Sequence, residues 1–274
     1  MVTEKLLKEK LMKLKENNYI LTEEENAYDL AIEMLKNIGS VDPVLRDDLI
    51  YSILSKWMIN DVFTTEQLQH LLFICIDENH LHYKLGEINT DSIFTRSFSI
   101  LITAVILYKE NETSFLTSKD IENVKEKIFQ YAIQENDIRG YDEEKGWAHS
   151  IAHLADCLDE LAKNHQLNQT DLQMMLEIIC TRIMESKNVF TCEEDERMVT
   201  AVCAIIERNL LSEEDIKNWI VRFKDYKKTD DYNKNYNIKI NSKHFLRSLY
   251  FRLKPVEKEK YSMILKALDE LNTY

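Results

Sequence analysis

Two histidines and an aspartate carry the clearest chemical potential in this chain. They lie in Trp147-Ala148-His149-Ser150-Ile151-Ala152-His153-Leu154-Ala155-Asp156. If the segment is helical, a turn of about 100° per residue brings His149, His153, Asp156 and Glu160 within about 60° of one another. Imidazoles beside a carboxylate can move protons, and at i, i+4, i+7 they can converge on a divalent cation. Trp147, Ile151, Leu154, Ala155, Leu158 and Leu161 fall on the opposite side, so the segment has two faces. Three readings of the polar face stay open: a solvated surface, the lining of a groove that recognises a ligand, and a metal site. The metalloprotease signature H-E-x-x-H is not matched, because Ser150 stands where its glutamate would be.

The flanking segments add candidates. Arg139, Tyr141 and Trp147 belong to Asp137-Ile138-Arg139-Gly140-Tyr141 and the residues that follow. Asp91 and Arg96 belong to Leu85-Gly86-Glu87-Ile88-Asn89-Thr90-Asp91-Ser92 and its continuation. Glu196, Arg197 and Arg247 are further charged positions, each also suited to an ordinary ion pair or cap. Of only four glycines, Gly86, Gly140 and Gly146 sit in the two longer connections, 80–91 and 136–146. Gly39 ends a helix, a position suited to a residue that takes positive φ. Asp91 or Thr90 can cap the helix that follows the first connection.

The rest of the sequence reads as the scaffold for these residues. Apolar positions recur at helical spacing nearly everywhere, as in Leu30, Met34, Leu35, Ile38 and in Leu45, Leu49, Ile53, Trp57. Roughly twelve helices are predicted, over 3–17, 22–38, 43–60, 65–79, 92–110, 118–135, 145–164, 169–187, 194–209, 212–228, 242–253 and 256–272. Thr22 to Glu25 and Thr64 to Gln67 read as capping boxes, Asp42-Pro43 as a cap before a first-turn proline, and Ser118, Ser212 and Asn241 as further caps. No strand alternation is visible. Lys227 to Asn237 reads as a loop. No Pro/Gly/Ser-rich linker interrupts the pattern, so 1–274 is expected to form one helical domain.

Composition excludes several classes. With 35 Lys and Arg against 48 Asp and Glu the net charge is −13, which disfavours nucleic acid as a partner. No run of about 18 apolar residues suggests a membrane span. The five cysteines are scattered, never C-x-x-C, and mostly among aliphatics, as expected of reduced thiols in a cytoplasmic protein. No phosphate loop or nucleophile elbow occurs, so no cofactor is expected.

The segment Ile38-Gly39-Ser40-Val41-Asp42-Pro43-Val44-Leu45-Arg46-Asp47 is similar to the helix-pair unit of HEAT-type repeats, and Glu194-Asp195-Glu196-Arg197 with Val199, Val202 and Ile206 looks like a degenerate second copy. The expected architecture is therefore an all-α superhelix of antiparallel helix pairs. The chain also resembles a bacterial family known as domain of unknown function 2785. The likeness runs through Gly39–Pro43, Gly86-Glu87, Thr90–Ser92, Arg96–Ser99, Asp137–Tyr141, Gly146–Ser150 with His153 and Asp156, Glu194–Arg197 and Phe245–Phe251. It implies that these polar segments recur as a set and assigns no reaction. The expected function is a cytoplasmic binding module with a polar groove for a peptide, a protein segment or a small polar ligand. The groove is formed by His149, His153, Asp156, Arg139, Tyr141, Trp147, Asp91, Arg96 and Arg197. The alternative is a hydrolase using the His/His/Asp set, with or without a metal.

Overall fold

The computed structural model describes residues 3–22, 25–253 and 258–272, and its described residues are all-α apart from one hairpin of two two-residue strands. In chain order the helices are α1 (Glu4–Glu16), α2 (Ala27–Leu35), α3 (Ser52–Ile59), α4 (Thr65–Cys75), α5 (Ser92–Thr113), α6 (Ser118–Gln134), α7 (Ser150–Lys163), α8 (Gln169–Ile183), α9 (Glu194–Glu207), α10 (Glu213–Arg222), α11 (Tyr232–Leu253) and α12 (Lys258–Leu271). A π-helical stretch, Val44–Tyr51, runs into α3. The hairpin pairs β1 (Tyr141–Asp142) with β2 (Gly146–Trp147) in antiparallel register, Tyr141 opposite Trp147. The chain forms two compact units, Met1–Cys157 and Leu158–Tyr274.

Four helices open on the same device. Thr64, Thr117, Asn168 and Ser212 each accept a backbone N–H three residues on, and the residue there (Gln67, Asp120, Asp171, Asp215) reaches back to the cap N–H. These boxes satisfy otherwise orphaned donors at the starts of α4, α6, α8 and α10. Each unit then repeats one contact. In the first, Gln69 of α4 donates to the box carboxylate Asp120 of α6 at 3.0 Å; in the second, Gln173 of α8 donates to Asp215 of α10 at 3.4 Å. Alternate helices also pack together within each unit: α3 on α5 and α2 on α4 in the first, α9 on α11, α8 on α10 and α10 on α12 in the second.

The core of the first unit is α5. It is long and apolar enough to cross a membrane by composition alone, and 83% of that window is buried within the protein. Ile100, Ile102, Ile106 and Leu107 are completely buried there. The second unit is centred on the aromatic set Trp219, Phe223 and Phe245, whose ring centroids lie 5.0 to 5.9 Å apart.

Several helix boundaries depart from the sequence expectations. Helix α2 starts at Ala27 under the Asn26 cap, because Glu25 spends its carboxylate on the Thr22 N–H and hydroxyl in a turn; Glu23 and Glu24 lie outside the described residues. Thr117 rather than Ser118 caps α6. The expected loop 227–237 ends at Asp231, where α11 begins. Asn241 is therefore mid-helix, and its amide bonds Glu185 O, Asn188 O and Phe190 N. Gly39 does not have positive φ; a side chain there would collide with Thr95 of α5, so the glycine permits close packing. The expected helix over 145–164 starts only at Ser150, since 146–147 pair in the hairpin.

Candidate functional site

The two glycine-bearing loops meet in the first unit. Arg96, on α5, is fully buried and grips Glu135 with two bonds, Nε–Oε2 at 2.6 Å and Nη2–Oε1 at 3.0 Å. Its remaining donors go to Ser92 Oγ and to the carbonyls of Tyr83, Lys84 and Glu87. Arg96 thus holds the 83–92 loop against the end of α6 and has its donors committed to protein. A fork of this kind suits guanidinium chemistry, in which several planar donors are satisfied at once. Asp137, also buried, takes the Asn89 N–H at 2.8 Å and receives Arg139 through Nε and Nη2. Arg139 passes a further bond to Thr90 O at 2.6 Å. Lys145 closes the outside of the junction by pairing with Asp91 at 2.7 Å. Asp91 makes no side-chain cap; Thr90 and Ser92 hydroxyls instead bond Glu87.

The hairpin is clamped from a third side by the π-helical stretch. Arg46 is completely buried and donates to Ser40 O and Lys145 O, each at 2.7 Å, and to Trp147 O at 3.3 Å. Its guanidinium also lies 4.3 Å from the Phe94 ring centre and 4.8 Å from that of Phe98. Asp47 pairs with Arg46 Nε at 2.7 Å and accepts the Trp147 N–H. Burial pushes the Asp47 carboxyl up to about 6 although Arg46 opposes the shift. Gly146, at φ +77°, sits where a Cβ would lie 2.8 Å from Pro43 Cβ, so only glycine lets the hairpin dock this closely.

From this clamp a ladder of rings runs inward. Tyr141 meets Trp147 edge-on at 4.7 Å, Trp147 lies over His149 at 4.0 Å, His149 meets His153 at 5.4 Å, and His153 meets Phe98 at 5.1 Å. Tyr141 and Trp147 form its exposed end, at 54% and 41% exposure, while His149 and His153 are buried at 7% and 4%. The solvated-face reading of the histidines is thereby corrected. The helical phase of His149 is corrected too. Ala148 N–H and His149 N–H both bond Gly140 O, and His149 takes φ +47°, so it stands just before α7. His153 Nδ1 lies 3.0 Å from Ser97 O, and a carbonyl only accepts, so Nδ1 carries the proton. Among the described residues no three His, Cys, Asp or Glu side chains stand close enough to hold a metal ion.

Of the sequence candidates, Arg139, Tyr141, Trp147, His149, His153, Asp91 and Arg96 are joined by this one set of contacts in the first unit. Asp156 follows on α7, half-buried. Arg197 belongs to α9 of the second unit. The sequence reading missed Glu135 and the roles of Arg46 and Asp47, and it met Phe98 only within the segment Arg96–Ser99. Arg46 and Asp47 were visible only as part of a repeat-like segment, and nothing local tied them to residues 100 positions away. A separate cleft of about 420 Å³ in the first unit is lined by Asn37, Gly39, Ser40, His80, Tyr83 and Thr95, among others, and not by either histidine of the ladder.

The chain is thus an all-helical protein whose first unit displays a clamped aromatic hairpin over two buried imidazoles. Residues 81–251 match the family described as Protein of unknown function (DUF2785), and the chain belongs to that family. The match takes in both loops, the hairpin, the histidines and Phe245–Phe251, and begins after the Arg46–Asp47 clamp. No curated protein and no solved structure matches the chain.

Proposed function

We propose that this protein is a cytoplasmic binding module that recognises a peptide or protein segment through the hairpin Tyr141–Trp147, on a HEAT-like scaffold of helix pairs. The observation that carries the reading is the rigid presentation of two exposed aromatic rings. Exposed tryptophan and tyrosine are the side chains that most often anchor protein interfaces, because they bury large area while losing few rotamers. Here they stand on a short hairpin, two of whose carbonyls are held by a buried arginine, so little ordering would be lost on binding. The scaffold reading is supported by the repeated Gln-to-box-carboxylate contact between alternate helices in each unit. The capping boxes lie 53, 51 and 44 residues apart, and the last spacing falls within the ~40–47 residues of helix-pair repeats. A cytoplasmic setting is supported by five free thiols, three of them buried.

The hydrolase alternative draws less support. Both imidazoles lie behind Trp147 in the ring ladder, and the site's arginines are committed to structural partners. The test is selection from a displayed random-peptide library on the full chain. Enriched peptides should lose at least tenfold in affinity for Trp147→Ala and Tyr141→Ala while those variants keep wild-type helicity. Failure to enrich any sequence, or equal binding to the variants, would refute the reading.

A further inference from the structure

We infer that the cleft between the turns 36–40 and 77–83 of the first unit binds a neutral polyhydroxylated small molecule of mono- or disaccharide size. Its volume, about 420 Å³, suits a small-molecule site. Three pieces of chain build it. Beyond α2 the chain turns tightly, with the N–H groups of Asn37, Ile38 and Ser40 bonded to Met34 O, Leu35 O and Asn37 O. Beyond α4, Asp77 organises the opposite turn. Its carboxylate accepts the Asn79 N–H at 2.7 Å, and its carbonyl accepts the N–H groups of His80 and His82. Thr95, in the first turn of α5, supplies a third wall. Gly39 lets the first turn press on that wall, because a Cβ there would overlap Thr95 Oγ1. Both buried arginines pin the rims: Arg46 donates to Ser40 O at 2.7 Å and Arg96 to Tyr83 O at 3.1 Å. A cleft fixed in this way loses little freedom when a ligand enters.

The lining side chains select the ligand. His80 Nδ1 lies 2.8 Å from Asp77 Oδ1, and a carboxylate only accepts, so Nδ1 carries the proton. Nε2 of the neutral ring is then an acceptor. Asn37 gives Nδ2 to Glu33 O at 2.9 Å, which leaves its Oδ1 as a second acceptor. The hydroxyls of Thr95 and Tyr83 bond no described residue, and each can both donate and accept. Two acceptors beside two hydroxyls call for ligand groups that donate as well as accept, which hydroxyls do. A carboxylate has no hydrogen to give and would leave both acceptors unsatisfied. The fixed charges on the lining are one of each sign, Lys36 and Glu4, so an anion gains no net attraction. The partly exposed ring of Tyr83 offers a flat apolar surface to the C–H face of a sugar ring.

The test titrates the full chain with D-glucose, maltose and myo-inositol, followed by saturation-transfer and ¹H–¹⁵N spectra. At least one of the three should bind saturably and move the amides of residues 36–40 and 80–83 together, with those of 141–147 fixed. Thr95→Val keeps the side chain's shape and removes the hydroxyl, and it should weaken that binding about threefold or more. Tyr83→Ala should weaken it tenfold. Lys84→Ala, next to Tyr83 and outside the lining, should change it less than twofold. Glucuronate and glucosamine, the charged relatives of glucose, should bind no more tightly than glucose. The shifts are read on the unaltered protein, so they test the site even where a variant fails to fold. The inference is overturned if none of the three probes binds, if the shifts fall outside 36–40 and 80–83, if folded Thr95→Val and Tyr83→Ala bind as the parent does, or if either charged sugar binds more tightly.

Discussion

Replacing Arg46 by methionine tests the clamp beneath the hairpin. The side chain is completely buried and lies against Phe94 and Phe98, so methionine retains much of the packing and removes the charge and the donors. Lost with them are the bonds to Ser40 O, Lys145 O and Trp147 O and the partner of Asp47. Charge-assisted bonds contribute about 1.5–3 kcal/mol each, and stranding one member of a buried pair costs about 3–5 kcal/mol. These losses overlap, so the expected cost is about 3–5 kcal/mol. For a unit of this size, about 2–4 °C per kcal/mol puts the drop in melting temperature near 10 °C. The second readout is local. Trp57 and Trp219 are each 3% exposed and Trp147 is 41% exposed, so acrylamide quenching reports chiefly on Trp147. Quenching should rise in the variant at temperatures where helicity is intact. A loss under about 1 kcal/mol with unchanged quenching would refute the clamp.

The other expectations follow from the same contacts. Asp47 has a folded pKa near 6 against an ordinary 3.8, so the folded state binds the extra proton between those values. The stabilisation is fully present below about pH 3.8 and is lost as pH rises through 6, a swing of order 3 kcal/mol. Asp47→Asn should flatten that part of the stability profile measured by urea unfolding, and an unchanged slope would contradict the assignment. Gly146→Ala meets both a positive φ and Pro43, and should cost about 2 kcal/mol or more in chemical denaturation; a neutral result would show that the hairpin can shift. Burial pushes the Cys180 thiol up to about 12 and Cys75 higher still. Maleimide labelling of the native protein should therefore reach Cys192 and Cys203 and spare Cys75, Cys157 and Cys180 until unfolding.

How much of this was legible in the sequence depended on the range of the interaction. Helices whose signals are local start close to where the pattern puts them: α4 opens on the Thr64–Gln67 box, and α1 starts at Glu4, one residue after the expected 3, with Thr3 as its cap. Boundaries failed where a tertiary contact outcompeted the local one. Gly140 O captures the N–H groups of residues 148 and 149, so α7 starts late; Asn241 caps nothing because three partners in the 185–190 loop take its amide. At the site, the stripe idea grouped His149 with His153, and the two do touch, though through the hairpin and a left-handed residue rather than along one helix. Arg139 and Arg96 were legible as charged neighbours of the loops. Their commitment to Asp137 and Glu135 was not, because those pairings depend on how α5 and α6 pack.

The most direct measurement is a ¹H–¹⁵N spectrum of the full chain titrated with a peptide taken from the library selection. The indole N–H of Trp147 and the backbone amides of residues 141–147 are expected to move together and to saturate at one Kd. The indole signals of Trp57 and Trp219, bonded to Tyr19 O and Leu176 O, should stay fixed. Saturating shifts confined to other residues, with the Trp147 indole unmoved, would contradict recognition by the hairpin.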